Sequence, residues 1–343
     1  MIPFLAKRWF LLVLVLGVLT AWLWPAGLGW TRLVPPRLVM ALALFLSAWT
    51  LDSARLYAAC RNPWPALWAV AISYLLLPAL GWLTGGLAPL ADFRIGLMIC
   101  ACVPCTLASA VLWTRMAGGD EATALLSTFI STALGWLATA SWLSWTTGSQ
   151  IQLDTLSMMR ELALILLLPV VVGQLARAPA PLRWTATRFR AGIGVVSRLL
   201  ILVIMLRTAL EVLGQLEHAL ARLGVGLLLF MAVLCVGNHL AALYFGWWSS
   251  ARLGFSREAA IAVAFSGSQK TLPVSLVLWE SYFRDYPLAV APLLFYHAGQ
   301  LIVDTVIADQ WSADGPREDK GETDQAAAAS GNEATAPSAE DGR

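Results

Sequence analysis

Charge is scarce in this chain. Of its 343 residues only 13% are Asp, Glu, Lys or Arg, whereas 59% are hydrophobic. Soluble domains carry about 25% charged residues, so an ordinary water-exposed surface is excluded. Lysine is scarcer still, with 3 Lys against 20 Arg. Histidine occurs three times and cysteine five times. The cysteines lie in or beside apolar segments, so no secreted disulfide framework is implied. No nucleotide-binding loop, nucleophilic triad or zinc spacing is present, and no enzyme chemistry is indicated.

What the chain has in abundance is apolar sequence. A run of about 20 apolar residues spans roughly 30 Å as a helix, the thickness of a bilayer core. Ten such runs occur, at 9–29, 37–54, 63–84, 92–114, 121–147, 157–176, 192–213, 222–249, 257–280 and 287–308. Spanning segments must satisfy their own backbone polar groups, so the fold class is an all-α polytopic membrane protein, not a sheet. Lys7-Arg8 before the first run has the look of a signal peptide. The run is too long for one and no small-x-small cleavage site follows cleanly, so it reads as a first transmembrane helix.

The formal net charge of +2 hides two regions. Residues 309–343 carry 9 acids and 3 bases, whereas residues 1–308 carry 12 acids and 20 bases. The acidic tail has almost no large apolar side chain and is expected to be disordered. Ten spans put both termini on one side. With that side cytoplasmic, the N-terminus and inner loops hold eleven Lys or Arg, from Lys7 to Arg257, against six in the outer loops. The positive-inside rule therefore places both termini in the cytoplasm and the chain in the cell (inner) membrane.

The most basic loop, Arg177 to Arg190, separates two sets of five spans, 1–155 and 156–308. Five is odd, so similar halves would be inverted relative to each other. Their fourth spans echo: Arg94 precedes Ser109-Ala110-Val111-Leu112-Trp113, and Arg257 precedes Ser275-Leu276-Val277-Leu278-Trp279. Each also carries a small-polar and proline interruption, Val103-Pro104-Cys105-Thr106 and Ser266 to Pro273. In transporters with inverted repeats such broken helices cross near the midplane, and their freed backbone groups form the site. The competing reading is an ordinary proline kink.

Lys270 lies within the second interruption, with no other charge between Glu258 and Glu280. A cation at bilayer depth costs about 2.5–3.5 kcal/mol on insertion scales. A chain that uses Arg almost everywhere keeps its compact ammonium there, which points to ion or substrate chemistry. The alternative is a lysine snorkelling to the interface.

These residues resemble the bile acid:sodium symporter superfamily, and within it an orphan branch. Val103 to Ala110 followed by Arg115 to Ala122 carry one part of the resemblance, and Phe265 to Leu272 the other. The resemblance covers about residues 5–308. It implies two inverted five-helix repeats, a core of spans 3–5 and 8–10, a panel of spans 1, 2, 6 and 7, and crossing broken fourth and ninth spans. The solute would sit between core and panel. Ser109, Thr128 and Gln269 fall where sodium-coupled members have matching ligand types. Ser73, Ala110, Phe265 and Lys270 depart, standing in place of a glutamine, an asparagine, an acidic ligand and an asparagine respectively. Two-sodium coupling is therefore not carried over: the sodium site is degraded at Ala110 and Phe265, no cofactor is expected, and the coupling ion (sodium, proton or none) stays open.

The expected solute- or ion-binding set is Ser73, Thr106, Ser109, Thr128, Ser266, Ser268, Gln269, Lys270 and Thr271. Lys270 would donate to broken-helix carbonyls, Ser109 and Thr128, in the manner of a bound cation. Arg207 and Glu211, at i,i+4, face alike on a helix and form either a cavity-lining pair or a structural one. Asp304 and His297 share a face of the last span. His297 is a candidate proton relay, and Asp304 reads rather as a helix-end acid near the cytoplasmic surface. Asn238 and His239 are expected to hydrogen-bond between helices. Cys100, Cys102 and Cys105 point in different directions on a helix and form no single cage. Pro104-Cys105-Thr106 resembles a motif of arsenite efflux carriers, which leaves a metalloid carrier as an alternative. The leading expectation is a secondary transporter of a small organic anion or amphipath, with lipid and solute as partners and no nucleic acid. The competing one is a non-transporting regulator of ion handling.

Overall fold

The computed structural model describes residues 23–106, 109–147 and 154–313, with scattered positions before 23; at residues 55, 211–223 and 313 it describes the backbone alone. Every regular element among these residues is helical. A 3-10 helix, Pro25–Leu33, precedes α1 (Pro36–Thr50) and α2 (Ser53–Ala59). Then come α3 (Trp64–Gly85), α4 (Ala91–Cys102), α5 (Ser109–Met116) and α6 (Glu121–Thr147). They are followed by α7 (Thr155–Leu175) and α8 (Ala180–Arg188). A long run, Arg190–Arg252, is divided at Gly224, whose φ of 76° and ψ of 156° are not helical. The glycine separates α9 (Arg190–Leu210) from α10 (Gly224–Arg252), because a left-handed φ carries no penalty without a Cβ. The chain ends in α11 (Arg257–Ser268), α12 (Leu272–Tyr282), a 3-10 turn at Pro287–Ala289, and α13 (Val290–Ala313).

Seven segments among the described residues are long and apolar enough to cross a membrane: α3, α6, α7, α9, α10, Arg257–Tyr282 and Pro287–Ser312. The 3-10 helix and α1, bent by 80°, make an eighth when taken together. Three of the ten expected runs are not among these seven segments. Run 9–29 is described only at scattered positions before residue 23 and then continuously. Run 37–54 is α1, of only 15 residues. Run 92–114 is divided into α4 and α5 by non-helical backbone at 103–106, where Pro104 removes a donor. At the other end α13 continues to Ala313, so residues 309–313, expected to begin the disordered tail, are helical. The rest of that tail, 314–343, lies outside the described residues.

Helix starts follow the sequence. Asp154 caps α7, accepting from the Leu156 and Ser157 amides at 3.1 Å each. Hydrogen bonds from Ser157 hold its exposed carboxyl below the usual carboxylate range. Ser256 caps α11 through the Ala259 amide at 3.2 Å. Each cap satisfies an amide the helix leaves unpaired.

Two prolines shape the interior. Leu-Leu-Leu-Pro occurs at 75–78 and at 166–169, and each is preceded by a π turn, Ile72–Leu76 and Ala163–Leu167. A proline inside a helix lacks the donor for the carbonyl one turn back and presses on it. The ladder slips by one residue to accommodate the ring. In α3 the Leu77 amide accordingly bonds to Ile72 O.

The α11–α12 pair is the centre of the bundle. In Arg257–Tyr282, 94% of the most apolar window is buried, against 33–56% in the other six segments. α11 packs on α3, α5, α6 and α10. A helix enclosed by other helices is apolar on all sides, which is why α11 reads Ala-Ala-Ile-Ala-Val-Ala-Phe.

Candidate functional site

Two stretches of non-helical backbone meet inside this bundle. One joins α4 to α5; the other is Gln269–Thr271 between α11 and α12. The Thr271 amide donates to Pro104 O at 3.1 Å and ties them together. Helix ends leave carbonyls and amides unpaired, and in a buried site each one needs a partner. Thr139 donates to Cys102 O at 2.8 Å, and the Cys105 amide donates to Ser131 Oγ at 2.9 Å. Gln300 pairs with both sides of Lys270: it accepts from the Lys270 amide at 2.9 Å and donates to the Lys270 carbonyl at 2.9 Å.

The Lys270 ammonium completes the set. Its Nζ donates to Val103 O at 2.9 Å, to Ser73 O at 2.6 Å and to Ser73 Oγ at 2.8 Å. It also lies 5.0 Å from the centre of the Tyr74 ring, a cation–π distance. Ser73 O is available because of Pro78. The Leu77 amide that an α-helix would direct to Ser73 O goes to Ile72 O instead. The next residue, Pro78, has no amide hydrogen to offer. The neighbouring Tyr74 O is taken by Trp142 Nε1 at 2.8 Å. Lys270 is 2% exposed, with all three ammonium hydrogens directed at oxygen. It is buried, not snorkelling.

A second polar group lies beside it. Gln269 Nε2 donates to Asp304 Oδ2 at 2.6 Å, and Gln269 Oε1 accepts from Thr106 at 2.7 Å and Ser109 at 3.0 Å. The Thr106 and Ser109 hydroxyls also contact each other. Asp304 Oδ1 lies 2.8 Å from His239 Nε2, and His239 Nδ1 lies 3.2 Å from Ser268 O. Tyr296 donates to the same Ser268 carbonyl at 2.8 Å.

The structure brings Ser73, Thr106, Ser109, Gln269, Lys270 and Thr271 to these two breaks, and it moves others elsewhere. Lys270 does not donate to Ser109 or Thr128. Ser109 faces Gln269, and Thr128 turns its hydroxyl back to Leu125 O at 2.9 Å. Ser268 Oγ likewise bonds to Ala264 O in its own helix, and Ser266 Oγ is buried without a partner among the described residues. Ala110 and Phe265 are fully buried, the Phe265 ring lying 5.5 Å from that of Trp311.

Asp304 is not a helix-end acid near the surface. It is fully buried, since α13 runs nine residues past it. His297 meets Gln300 at 3.0 Å, and the imidazole paired with Asp304 is His239. Asn238 does join helices, donating to Thr84 Oγ1 at 2.8 Å. Arg207 bonds Glu280 at 2.7 Å and the carbonyls of Arg32 and Val34 at 2.9 and 2.8 Å; the Glu211 side chain lies outside the described residues. Among the described residues no three His, Cys, Asp or Glu side chains gather to hold a metal, Cys105 included. Gln300, Tyr74, Ser131 and Thr139 did not stand out in the sequence. Gln300 alone had a signal, as an amide in an apolar span.

A helical, multi-pass membrane protein whose interrupted helices meet around buried polar side chains has the build of a membrane transporter. The comparisons with known proteins agree. Residues 8–313 match the SBF-like CPA transporter family, and the chain belongs to that family of transporters, which are not enzymes. It is 26% identical over 313 residues to the zebrafish (Danio rerio) protein named sodium/bile acid cotransporter 7, covering 88% of this chain and 92% of that one. The mouse (Mus musculus) protein of the same name is also 26% identical over 313 residues, covering 88% and 91%. The Arabidopsis thaliana protein named probable sodium/metabolite cotransporter BASS4, chloroplastic, is 29% identical over 227 residues, covering 63% of this chain and 52% of its own.

Proposed function

We infer that the chain moves a small organic anion or amphipathic solute by alternating access, and that the Lys270 ammonium does here the work of a bound coupling cation. One observation carries this reading: Nζ is held by three oxygens from two different helices, α3 and the end of α4. Hard cations are held by carbonyl and hydroxyl oxygens in the same way. The ammonium neutralises the converging carbonyls and pins the two breaks together.

The residues do not fit sodium. Phe265 and Ala110 bring no oxygen, Gln269 Oε1 is engaged by two hydroxyls, and Thr128 is turned to its own helix. A second cation about 4 Å from the ammonium would meet roughly 4 kcal/mol of repulsion at an effective dielectric of 20. Coupling on this reading is to protons or absent.

The same reading gives the chain ten crossings in two inverted halves, 1–155 and 156–308. α4–α5 and α11–α12 are then corresponding interrupted spans that meet near the midplane. The Thr271–Pro104 bond supports that correspondence. The excess of Arg in alternate loops supports cytoplasmic termini and a place in the cell (inner) membrane.

Uptake of radiolabelled taurocholate, an amphipathic anion, into proteoliposomes tests the reading. The expected result is saturable uptake that survives removal of sodium and is lost in Lys270→Met. Steep sodium dependence with two ions per solute, or full uptake by Lys270→Met, overturns the role given to Lys270.

A further inference from the structure

The His239–Asp304 pair is buried, lies on α10 and α13, and makes none of the Lys270 ammonium contacts described above. Its hydrogen bonds count a proton. Ser268 O can only accept, so His239 Nδ1 at 3.2 Å from it carries hydrogen. Nε2 faces Asp304 Oδ1 at 2.8 Å, and two lone pairs at that distance repel, so a hydrogen lies between them too. Placed on nitrogen, it makes an imidazolium beside a carboxylate. Placed on oxygen, it makes an imidazole beside a carboxylic acid. Both descriptions hold one proton more than a neutral imidazole beside a carboxylate. Both side chains are 0% exposed. Ser268 is the last residue of α11.

We propose that His239 and Asp304 form a proton-binding site that couples to the helix breaks through Ser268 and Gln269. This rests on the transporter reading for its use, but not for its chemistry. When the proton leaves to water, the pair goes from net zero to net −1. One of the two His239 bonds then becomes lone pair against lone pair. If Nε2 keeps its hydrogen for Asp304, the bond to Ser268 O opens. If Nδ1 keeps its hydrogen for Ser268, the bond to Asp304 opens. Asp304 holds Gln269, and Gln269 holds Thr106 and Ser109 across the other break. Either loss therefore loosens a contact made by the segment that carries Lys270.

The titratable groups around the pair come from every neighbouring element. The breaks bring Lys270 and Cys105, α13 brings Tyr296 and His297, and α10 brings Cys235 one turn from His239. Tyr296 stands edge-on to the His239 ring at 5.8 Å. α11 carries charge only at its far end, in Arg257 and Glu258, and the Arg115 of α5 is paired with Glu121 at the surface.

The test uses full-length protein in lipid nanodiscs and needs no solute. Histidine labelled with 15N reports the protonation of each ring nitrogen from pH 4 to 9, the His239 signals being assigned with His239→Gln. The expected result is that His239 holds hydrogen on both ring nitrogens, or shares one with Asp304, and loses it in one step. The step should move by more than one pH unit in Asp304→Asn. Amide hydrogen exchange at Gln269 to Thr271 should rise at least tenfold across the same step in the wild type and stay level in Asp304→Asn. If Asp304→Asn does not fold, His239→Gln replaces it in the exchange measurement. His239 nitrogen signals that stay unchanged from pH 4 to 9, or exchange that rises alike in the variants, overturn the proposal. Failure of taurocholate uptake would count against the transporter reading and leave this titration unchanged, so the two failures are separable.

Discussion

Lys270 Nζ and the Val103 carbonyl, 167 residues apart in sequence, lie 2.9 Å apart across two helix breaks. A side chain from one break is the donor that the other break needs. Lys270→Met removes that donor and leaves three buried acceptors short of it. A buried acceptor without a donor costs about 1–3 kcal/mol, so a clear fall in thermal stability is expected for the detergent-purified variant. Lys270→Arg should fall as well, because a planar fork cannot direct hydrogens to three oxygens arranged for a compact ammonium. Unchanged melting of both variants would mean that the three bonds add nothing to the fold.

Pro78 should be coupled to Lys270 although the two do not touch. Pro78→Ala supplies an amide hydrogen that competes for the carbonyls of Ser73 and Tyr74. The double variant Pro78→Ala/Lys270→Met should then be less damaged than the sum of its parts, by about 0.5 kcal/mol or more. Strict additivity in a denaturation cycle would sever that link.

Arg207 and Glu280, 14% and 18% exposed, join α9 to the end of α12 at 2.7 Å. Two carbonyls, of Arg32 and Val34, share the same guanidinium. Charged hydrogen bonds of this kind are worth about 1.5–3 kcal/mol. Arg207→Met should therefore lower stability by that order, and Arg207→Lys should recover little of it, having no fork to reach three oxygens. Melting curves of the three proteins decide it.

Gly96 and Gly237 make a matched pair of tests. A Cβ at Gly96 would stand 2.1 Å from Ala289 O, a backbone atom, whereas one at Gly237 meets nothing within 4 Å. Gly96→Ala should destabilise by about 1–3 kcal/mol through overpacking. Gly237→Ala, in the interior of α10, should stabilise by up to about 1 kcal/mol. The ordering of the two melting temperatures is the readout.

The orientation of the chain can be read with one cysteine. In a Cys60→Ser background, a cysteine introduced by Ser330→Cys should resist a membrane-impermeant maleimide in intact cells and react after permeabilisation. Labelling in intact cells would put the tail outside.

Much of the site was legible because burying charge is costly. A lone lysine among apolar residues, and an interruption at Val103-Pro104, announce themselves in any order of reading. The partners did not. Ser73 looked like a polar residue of an apolar span; its carbonyl matters because Pro78, five residues on, withholds a donor. Gln300 acts on the backbone of Lys270, which no side-chain motif records. Asp304 read as a surface acid because the expected span ended at 308, whereas α13 continues to Ala313.

The sequence alone determined that this is a helical membrane protein. Apolar runs of bilayer length have no other way to satisfy their amides, and the few interior charges mark where the bundle is polar. The tertiary structure alone decided which imidazole meets Asp304, which oxygens hold Lys270, and that Arg207 reaches Glu280. Those pairings join residues 65, 197 and 73 positions apart. Helical periodicity fixes which residues share a face within one helix, and it carries no information about which face of another helix will be packed against it.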